Sequence, residues 1–299
     1  MGTNDDADAV LRRPAALASG LTDRLLEARV RAGELERLRP GVWVPTADRL
    51  PEASHRLRVL ACPSHTLPVS HQSAAVMHGL GLLHPDFSRV HVTTGTASGG
   101  RVHPTRHIHS GLLGPEETVV VDGVPTTSIE RTAVDVACGY DFDAALVVFD
   151  SALRAGADRE VMAETIARGR RRGNAAARIA LPLADGAAES VGESWSRAQM
   201  ITARLPTARL QHERRVRGRR IVTDFDWDRQ LVGEFDGHVK YGRLLKPGQT
   251  VADVVEDEKA REDLLRWDGS MVVRWIWADL ERRRVASIVQ PWLGRLGLI

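Results

Sequence analysis

The chain has 299 residues, a formal net charge of +2, 43% hydrophobic residues and 27% charged residues. This length allows two or three domains, and the composition is that of a globular protein rather than a disordered one. No apolar run approaches the roughly 20 residues that span a bilayer, which argues against a membrane protein. The N-terminus, MGTNDDADAV, is acidic and lacks a signal-peptide core, so we expect a cytoplasmic protein.

Cysteine and lysine usage narrows the possible kinds of site. Cys62 and Cys138 are isolated and form no CxxC spacing, which argues against a disulfide framework or a thiolate zinc site. Most cationic residues are arginines, and the chain has only three lysines, Lys240, Lys246 and Lys259. All three follow directly after a group of acids, so we treat them as candidates for a specific role.

The first 50 residues predict a winged helix-turn-helix. LTDRLLEARVRAG is typical of a helix that Thr22 caps and Gly33 ends, and ELERLRPGVWVP is typical of two short strands around a turn. In such a domain a helix enters the major groove of DNA and flanking arginines contact phosphates. The alternative is a small helical cap with solvated arginines. The candidate DNA-binding residues are Arg24, Arg29, Arg31, Arg37 and Arg39.

The segment from 51 to 182 predicts a mixed α+β domain that is rich in histidine. Nine of the eleven histidines lie between His55 and His109. None of the spacings gives an HxxxH pair with a third ligand in view. His107 and His109 share a strand face, but no acid stands near them, so we expect exposed or hydrogen-bonded histidines rather than a metal site. The basic run at 168–178 either contacts phosphate or is a solvated helix end.

The segment from 183 to 299 predicts the element order α-β-β-β-α-β-α, with acids on two neighbouring strands. Asp224 and Asp226 share a face of one strand, and Glu234 and Asp236 share a face of the next. If the two faces coincide, the carboxylates converge and raise one another's pKa values. A hard cation such as Mg²⁺ relieves this repulsion and can activate water against a phosphodiester. The alternative is a polar sheet edge with salt bridges to nearby arginines.

The motifs TDFDW, VGEFDG and EDEKAREDLLR, in this order within residues 185–280, resemble the very-short-patch-repair-type branch of the PD-(D/E)XK nuclease superfamily. The resemblance implies a restriction-endonuclease-like core that uses Mg²⁺ or Mn²⁺. It implies Asp224 and Glu234 as metal ligands, with Asp236 as a third. It also implies a helix acid, which is Glu193 or, in its place, Glu189.

The catalytic lysine of that family is absent from its usual place, where Asp236 stands instead. We interpret Lys259 as its replacement, because it continues the Val251–Val255 row of a helix that we expect to face the sheet. Lys240 is the second candidate, because it closely follows the third strand. The alternative for Lys259 is an ion pair with neighbouring acids at the edge of the core.

The N-terminal half is similar to the AbiEi-type antitoxin family. The similarity rests on GLTDRLLEARVRAGELERLRPGVWVP, SHQSAAVMHGL and TSIERTAVDVA, in this order over some 130 residues. It implies a DNA-binding repressor module with a winged helix, a toxin partner and a part in phage defence.

The sequence therefore predicts an α+β multidomain chain. Its segments are a winged helix-turn-helix at 1–50, an AbiEi-like α+β domain at 51–182 and a PD-(D/E)XK endonuclease-like domain at 183–299. The expected function is that of a DNA-binding, metal-dependent endonuclease. The alternative is a non-enzymatic transcriptional regulator or antitoxin whose nuclease-like domain is only a binding surface.

Overall fold

The computed structural model describes residues 10–62, 66–168, 174–237 and 251–299, with side chains described from Lys259 onward in the last range. These residues form a mixed α+β fold with several small sheets. None of the helices in the described ranges has the length and apolar character needed to cross a bilayer. The chain divides into two compact units. Unit 1 comprises Met1–Gly139 and Asp158–Arg170, and unit 2 comprises Tyr140–Ala157 and Arg171–Ile299.

Unit 1 begins with two short helices and a three-stranded sheet. The elements are β1 (Leu11–Arg12), α1 (Arg13–Ala18), α2 (Asp23–Arg31), β2 (Leu35–Arg39) and β3 (Val42–Pro45), and the strand order is β1-β3-β2. Thr22 accepts a hydrogen bond from the N–H of Leu25 and so caps α2. Ala16, Leu26 and Trp43 meet in a small core between the helices and the sheet. The predicted helix and hairpin are therefore present.

The histidine-rich part of unit 1 combines helices with two small sheets. Its elements are α3 (Pro51–Leu60), α4 (His71–Met77), β4 (Val90–Gly95), β5 (Arg101–Val102), β6 (Arg106–Leu112), β7 (Thr118–Val121), β8 (Val124–Thr127) and α5 (Ile129–Ala137). One sheet has the order β4-β6-β5, in which β4 and β6 are parallel, and β7 pairs with β8. Val59, Ala74, Met77 and Val92 belong to the core beneath them.

Three further helices follow, and they belong to different units. They are α6 (Phe142–Arg154), α7 (Arg159–Arg168) and α8 (Asn174–Leu183). α7 belongs to unit 1, whereas α6 and α8 belong to unit 2. The sequence analysis placed α6 and α8 in the segment 51–182, so the structure divides the chain differently at this point. The finer three-segment description stays a prediction.

Unit 2 contains a four-stranded sheet with the order β12-β11-β10-β9. Its remaining elements are α9 (Val191–Thr202), β9 (Arg209–Val216), β10 (Arg219–Trp227), β11 (Leu231–Asp236), α10 (Val251–Trp267), β12 (Met271–Ile276), α11 (Trp277–Glu281) and α12 (Val285–Arg295). β9, β10 and β11 are antiparallel, whereas β11 and β12 are parallel, so a crossover through α10 is required between them. The element order is the predicted one, except that the last helix is split at Arg283, which has a φ of +53°.

Helix α9 lies very close to strand β11. A Cβ atom at Gly192 would lie 2.0 Å from a ring carbon of Phe235, a distance that real Cβ contacts do not reach. The Phe235 ring also packs edge-on against the indole of Trp277, with ring centroids 5.3 Å apart. On the same helix, Ser196 accepts a 2.7 Å hydrogen bond from the indole N–H of the buried Trp275. The helix is therefore fixed against the sheet at two points.

We expect Gly192→Ala to destabilise unit 2 by about 1–3 kcal/mol, because the added methyl group overpacks the contact with Phe235. The matched control is Gly294→Ala in α12, where a Cβ would meet no atom within 4 Å. The control should leave stability unchanged or raise it by up to about 1 kcal/mol through helix propensity. Urea unfolding followed by tryptophan fluorescence measures both. Equal stability of Gly192→Ala and the wild type would contradict the tight contact.

Candidate active site

Three acids from three elements of unit 2 lie next to one another. Phe225 of β10 pairs with Gly233 of β11, so Asp224 and Glu234 form the next cross-strand pair and share one face of the sheet. Glu193, from the first turn of α9, lies over the same place, where its charge acts on Asp224. Glu193 and Glu234 are each only 7% exposed. The structure thus brings together Glu193, Asp224 and Glu234, which the sequence analysis selected.

Glu193 is held by three hydrogen bonds at the start of α9. Ser190 Oγ accepts from the N–H of Glu193 at 3.2 Å and donates to its Oε1 at 2.7 Å. The backbone N–H of Glu189 donates to Oε2 of Glu193 at 2.9 Å. Glu189 therefore supports Glu193 through its backbone, and Glu193 is buried rather than exposed on a solvated face of its helix.

A glutamine connects two of the acids. Gln211 Nε2 donates to Glu193 Oε2 at 2.9 Å and lies 3.5 Å from Asp224 Oδ1. The other oxygen of Asp224 accepts a 2.9 Å hydrogen bond from the backbone N–H of Phe235. Gln211 adopts a φ of +45°, which an L-residue other than glycine seldom does. Gln211 was not among the predicted site residues, because its role follows from the register of β9 on β10 and not from any local motif.

Among the described residues, Arg261 of α10 is the cation that contacts the acids directly. Its Nη2 lies 2.8 and 3.0 Å from the two carboxylate oxygens of Glu234, and it also donates to the carbonyl oxygen of Val222. Lys259, by contrast, is exposed. The expectation that its side chain faces the sheet is therefore wrong. The stripe that faces the sheet includes Leu265, which is 1% exposed and lies one turn after Arg261. Because Leu265 lies four residues after Arg261, the two side chains share one face of the helix, and this spacing could have predicted that Arg261 faces the sheet.

Burial and mutual repulsion raise the pKa values of two of the acids. The pKa of Asp224 rises to about 6, first because the carboxyl is buried and then because Glu193 is near. The pKa of Glu234 rises to about 7, again first through burial and then through Asp224, although Arg261 opposes the rise. Two adjacent carboxyls that resist ionisation mark a candidate functional site.

The other candidate residues of unit 2 are placed differently. Asp226 is fully buried, and it accepts from the backbone N–H of Arg229 at 2.8 Å while its Oδ2 lies 3.3 Å from Arg214 Nη2. It therefore serves the packing of the sheet. Asp236 is half-buried at the end of β11. Lys240 lies outside the described residues, so its role stays a prediction.

The arginines selected for DNA binding in unit 1 fall into two groups. Arg24 and Arg31 are exposed. The remaining three contact this unit itself: Arg29 pairs with Glu34 at 3.7 Å, Arg37 pairs with Glu27 at 3.4 Å, and Arg39 donates to the carbonyl oxygen of Ala61 at 3.3 Å. Arg24 and Arg31 are therefore the members of the set that are best placed to meet a phosphate.

The proteins that resemble this chain have no activity in their descriptions. No protein-family model matches the chain. The uncharacterized proteins MT2308 and Rv2248, from two strains of Mycobacterium tuberculosis, are each 33% identical to it over 184 residues. The match covers 56% of this chain and 66% of the relatives, just under two thirds of their length. The crystal structure of the RV2827C protein from Mycobacterium tuberculosis aligns with a TM-score of 0.38 and 16% identity, over 70% of this chain and 81% of that chain.

The raised pKa values predict how the stability of unit 2 depends on pH. The folded pKa values of about 6 and about 7 exceed the ordinary carboxyl values near 4, so the folded state holds protons that the unfolded chain has released. The stability that these two groups contribute is complete below about pH 4 and falls as the pH rises to about 7. Asp224→Asn should reduce this fall by on the order of 2 kcal/mol.

Urea unfolding between pH 4.5 and 8 measures this difference, with tryptophan fluorescence as the probe. The control is Asp228→Asn, because Asp228 is exposed and pairs loosely with the exposed Arg209 at 3.6 Å. That variant should keep the pH profile of the wild type. If Asp224→Asn and the wild type lose the same stability over this range, Asp224 does not titrate as described.

Proposed function

We propose that unit 2 is a metal-dependent phosphodiesterase that acts on DNA, with Glu193, Asp224 and Glu234 as its acidic centre. One observation carries the proposal: three acids from a helix and two strands lie together, and two of them have raised pKa values. Burying adjacent carboxylates costs free energy unless something compensates their charge. A fold that retains such an arrangement is therefore well explained by a cation that binds there.

The residues fit Mg²⁺ or Mn²⁺. Mg²⁺ is usually bound by one or two carboxylates together with waters and substrate phosphates. The cross-strand neighbours Asp224 and Glu234 would supply that carboxylate pair, and Glu193 adds negative charge behind Asp224. A divalent cation bound there would neutralise the acids, polarise the scissile phosphate and lower the pKa of a water molecule.

The protein's own groups would orient the site. The backbone N–H of Phe235 fixes one oxygen of Asp224, and Gln211 ties Glu193 to its neighbour. The Arg261 guanidinium lies against Glu234, where it would meet the negative charge of a phosphate. Arginine stays protonated at every working pH, so Arg261 would act by its charge and not as a proton donor. It takes the place that the sequence analysis gave to Lys259.

The element order supports the finer description of the fold. A helix, three antiparallel strands, a crossover helix and a parallel strand bring the acids of the first helix, the second strand and the third strand together. This is the arrangement that the resemblance to the PD-(D/E)XK superfamily implies. DNA as the substrate rests on the winged-helix-like start of unit 1, with Arg24 and Arg31 exposed on it.

The second candidate function is a non-enzymatic DNA-binding regulator or antitoxin, with a toxin partner and a part in phage defence. The observation that favours it is that the acids already have protein partners. Glu193 accepts from the hydroxyl of the N-cap residue Ser190, and Glu234 pairs with Arg261. In such a protein the acid cluster is a structural remnant and unit 2 is only a binding surface.

Cleavage assays separate the two functions. Plasmid and single-stranded DNA are incubated with the protein, with Mg²⁺, with Mn²⁺ and with chelator. We expect cation-dependent cleavage that falls about 100-fold or more in Asp224→Asn and in Glu234→Gln, because each change removes charge that holds the cation. Arg261→Met should also lose most of the activity, whereas Lys259→Met, at an exposed position, should keep it.

The result that would contradict the enzyme is DNA binding without cleavage under all these conditions. Cleavage that survives in Asp224→Asn would be equally damaging, because it would come from elsewhere. Asp228→Asn is the matched control for the loss of a carboxylate, and circular dichroism checks that each variant is folded.

DNA affinity gives a separate test of unit 1. Each phosphate contact contributes about 0.9 to the slope of log affinity against log salt concentration. Arg24→Gln with Arg31→Gln should therefore weaken binding to duplex DNA and reduce this slope by up to about 2. Arg29→Gln is the control, because Arg29 pairs with Glu34. Fluorescence anisotropy over a salt series measures the slope, and an unchanged slope in the double variant would exclude these two arginines.

A further inference from the structure

Three histidines of unit 1 lie close together, and the rings of His107 and His109 stack with centroids 3.8 Å apart. Strands β4 and β6 are parallel neighbours in which His91 pairs with His107, so these two side chains share a face. His109 lies two residues after His107 and therefore on that same face. The parallel pairing joins residues far apart in sequence, and it adds His91 to the His107–His109 pair that the sequence had placed on one strand face. From the sequence alone we expected no metal site here.

The nitrogen atoms of these rings are within reach of a single cation. One nitrogen from each of His91, His107 and His109 lies within 4.8 Å of the other two. His91 Nδ1 and His109 Nε2 are 2.9 Å apart. Nitrogens that bind one Zn²⁺ at about 2.05 Å in a tetrahedral site lie about 3.3 Å apart. The His91–His109 pair would have to separate by about 0.4 Å, and a separation as wide as 4.8 Å would have to close by about 1.5 Å, which side-chain rotation can supply.

The backbone under the cluster is fixed by buried hydroxyl and amide groups. Ser73 Oγ, which is fully buried, accepts from the N–H of His91 at 2.8 Å and lies 2.8 Å from His55 Nε2. The N–H of Ser70 donates to the carbonyl oxygen of His91 at 3.0 Å. Ligands on a rigid strand hold a metal geometry better than ligands on a loop.

A fourth histidine and an acid lie at the edge of the cluster. The ring of His71, at the start of α4, stacks on His109 with centroids 3.6 Å apart. His71 has a φ of +52°, in the left-handed region that residues other than glycine seldom adopt. The charge of Asp135 acts on His109, contrary to the expectation that no acid stands near these histidines. Carboxylates next to histidine ligands are common around metals.

The imidazoles are neutral at physiological pH, as metal ligands must be. Burial and the neighbouring histidines lower the pKa of His91 to about 4 and that of His109 to about 2, and burial lowers the pKa of His107. His91 Nδ1 and His109 Nε2 share one hydrogen bond, and the tautomers of the two rings decide which nitrogen donates. His91 is buried and the other two are half-buried, so the cluster remains open to solvent on one side.

We propose that His91, His107 and His109 form a binding site for a transition-metal cation of the zinc class. The donor set is imidazole, which suits Zn²⁺ and its neighbours and not Mg²⁺. Three protein ligands leave a fourth position for water or an exchangeable ligand, as in zinc sites that are not closed. The site lies in unit 1 and does not depend on the acidic centre of unit 2.

Calorimetry with Zn²⁺ tests the proposal on the full chain in the Asp224→Asn background, so that the acidic centre contributes little. We expect one Zn²⁺ per chain at pH 7.5 and a loss of affinity greater than about 100-fold in His91→Asn and in His109→Asn, because even residues behind the ligands cost 10–100-fold. His103→Asn, at an exposed position in the same segment, is the matched control and should bind like the parent.

The visible spectrum of bound Co²⁺ gives a second readout, because it reports the coordination geometry of the metal directly. A four-coordinate site with three imidazoles should give intense bands in the parent and in His103→Asn, and weak octahedral bands in His107→Asn. No Zn²⁺ binding by the parent, or equal affinity in the parent, His91→Asn and His109→Asn, would overturn the proposal.

Discussion

Helix α9 approaches strand β11 so closely that position 192 has room only for a glycine. The two residues that meet there are the chain neighbours of two acids, because Gly192 precedes Glu193 and Phe235 follows Glu234. Phe235 also donates its backbone N–H to Asp224. A single packing contact therefore sets where all three carboxylates lie. The chemistry proposed for unit 2 therefore depends on this contact as well as on the acids themselves.

That contact has an electrostatic cost. Asp224 is buried between Glu193 and Glu234, and its own pKa and that of Glu234 rise as a result. Arg261 offsets part of the repulsion, but it does not bring the pKa of Glu234 back to an ordinary value. A protein that needed these acids only for stability would gain by replacing them with apolar residues of similar size. Their burial at a shared place is the physical argument for the proposed cation.

The sequence predicted those features that depend on local patterns. Strand alternation grouped Asp224 with Asp226 and Glu234 with Asp236, and the resemblance to the nuclease superfamily implied Asp224 and Glu234. The capping residue Thr22 marked α2, and the order of elements in unit 2 followed from hydrophobic periodicity. The residues that were missed depend on long-range register. Gln211 reaches the acids through the pairing of β9 with β10, and Arg261 reaches them because α10 presents the row that contains Leu265. The histidine cluster likewise needs the parallel pairing of β4 with β6.

The central claim is that the raised pKa values of Asp224 and Glu234 mark a cation site. Carbon-detected NMR of the side-chain carboxyls, with and without Mg²⁺, measures these pKa values in the intact chain. The account predicts apparent values near 6 and 7 without the cation, and a fall to or below the ordinary values near 4 when Mg²⁺ is present. Titration curves that Mg²⁺ leaves unchanged would contradict it.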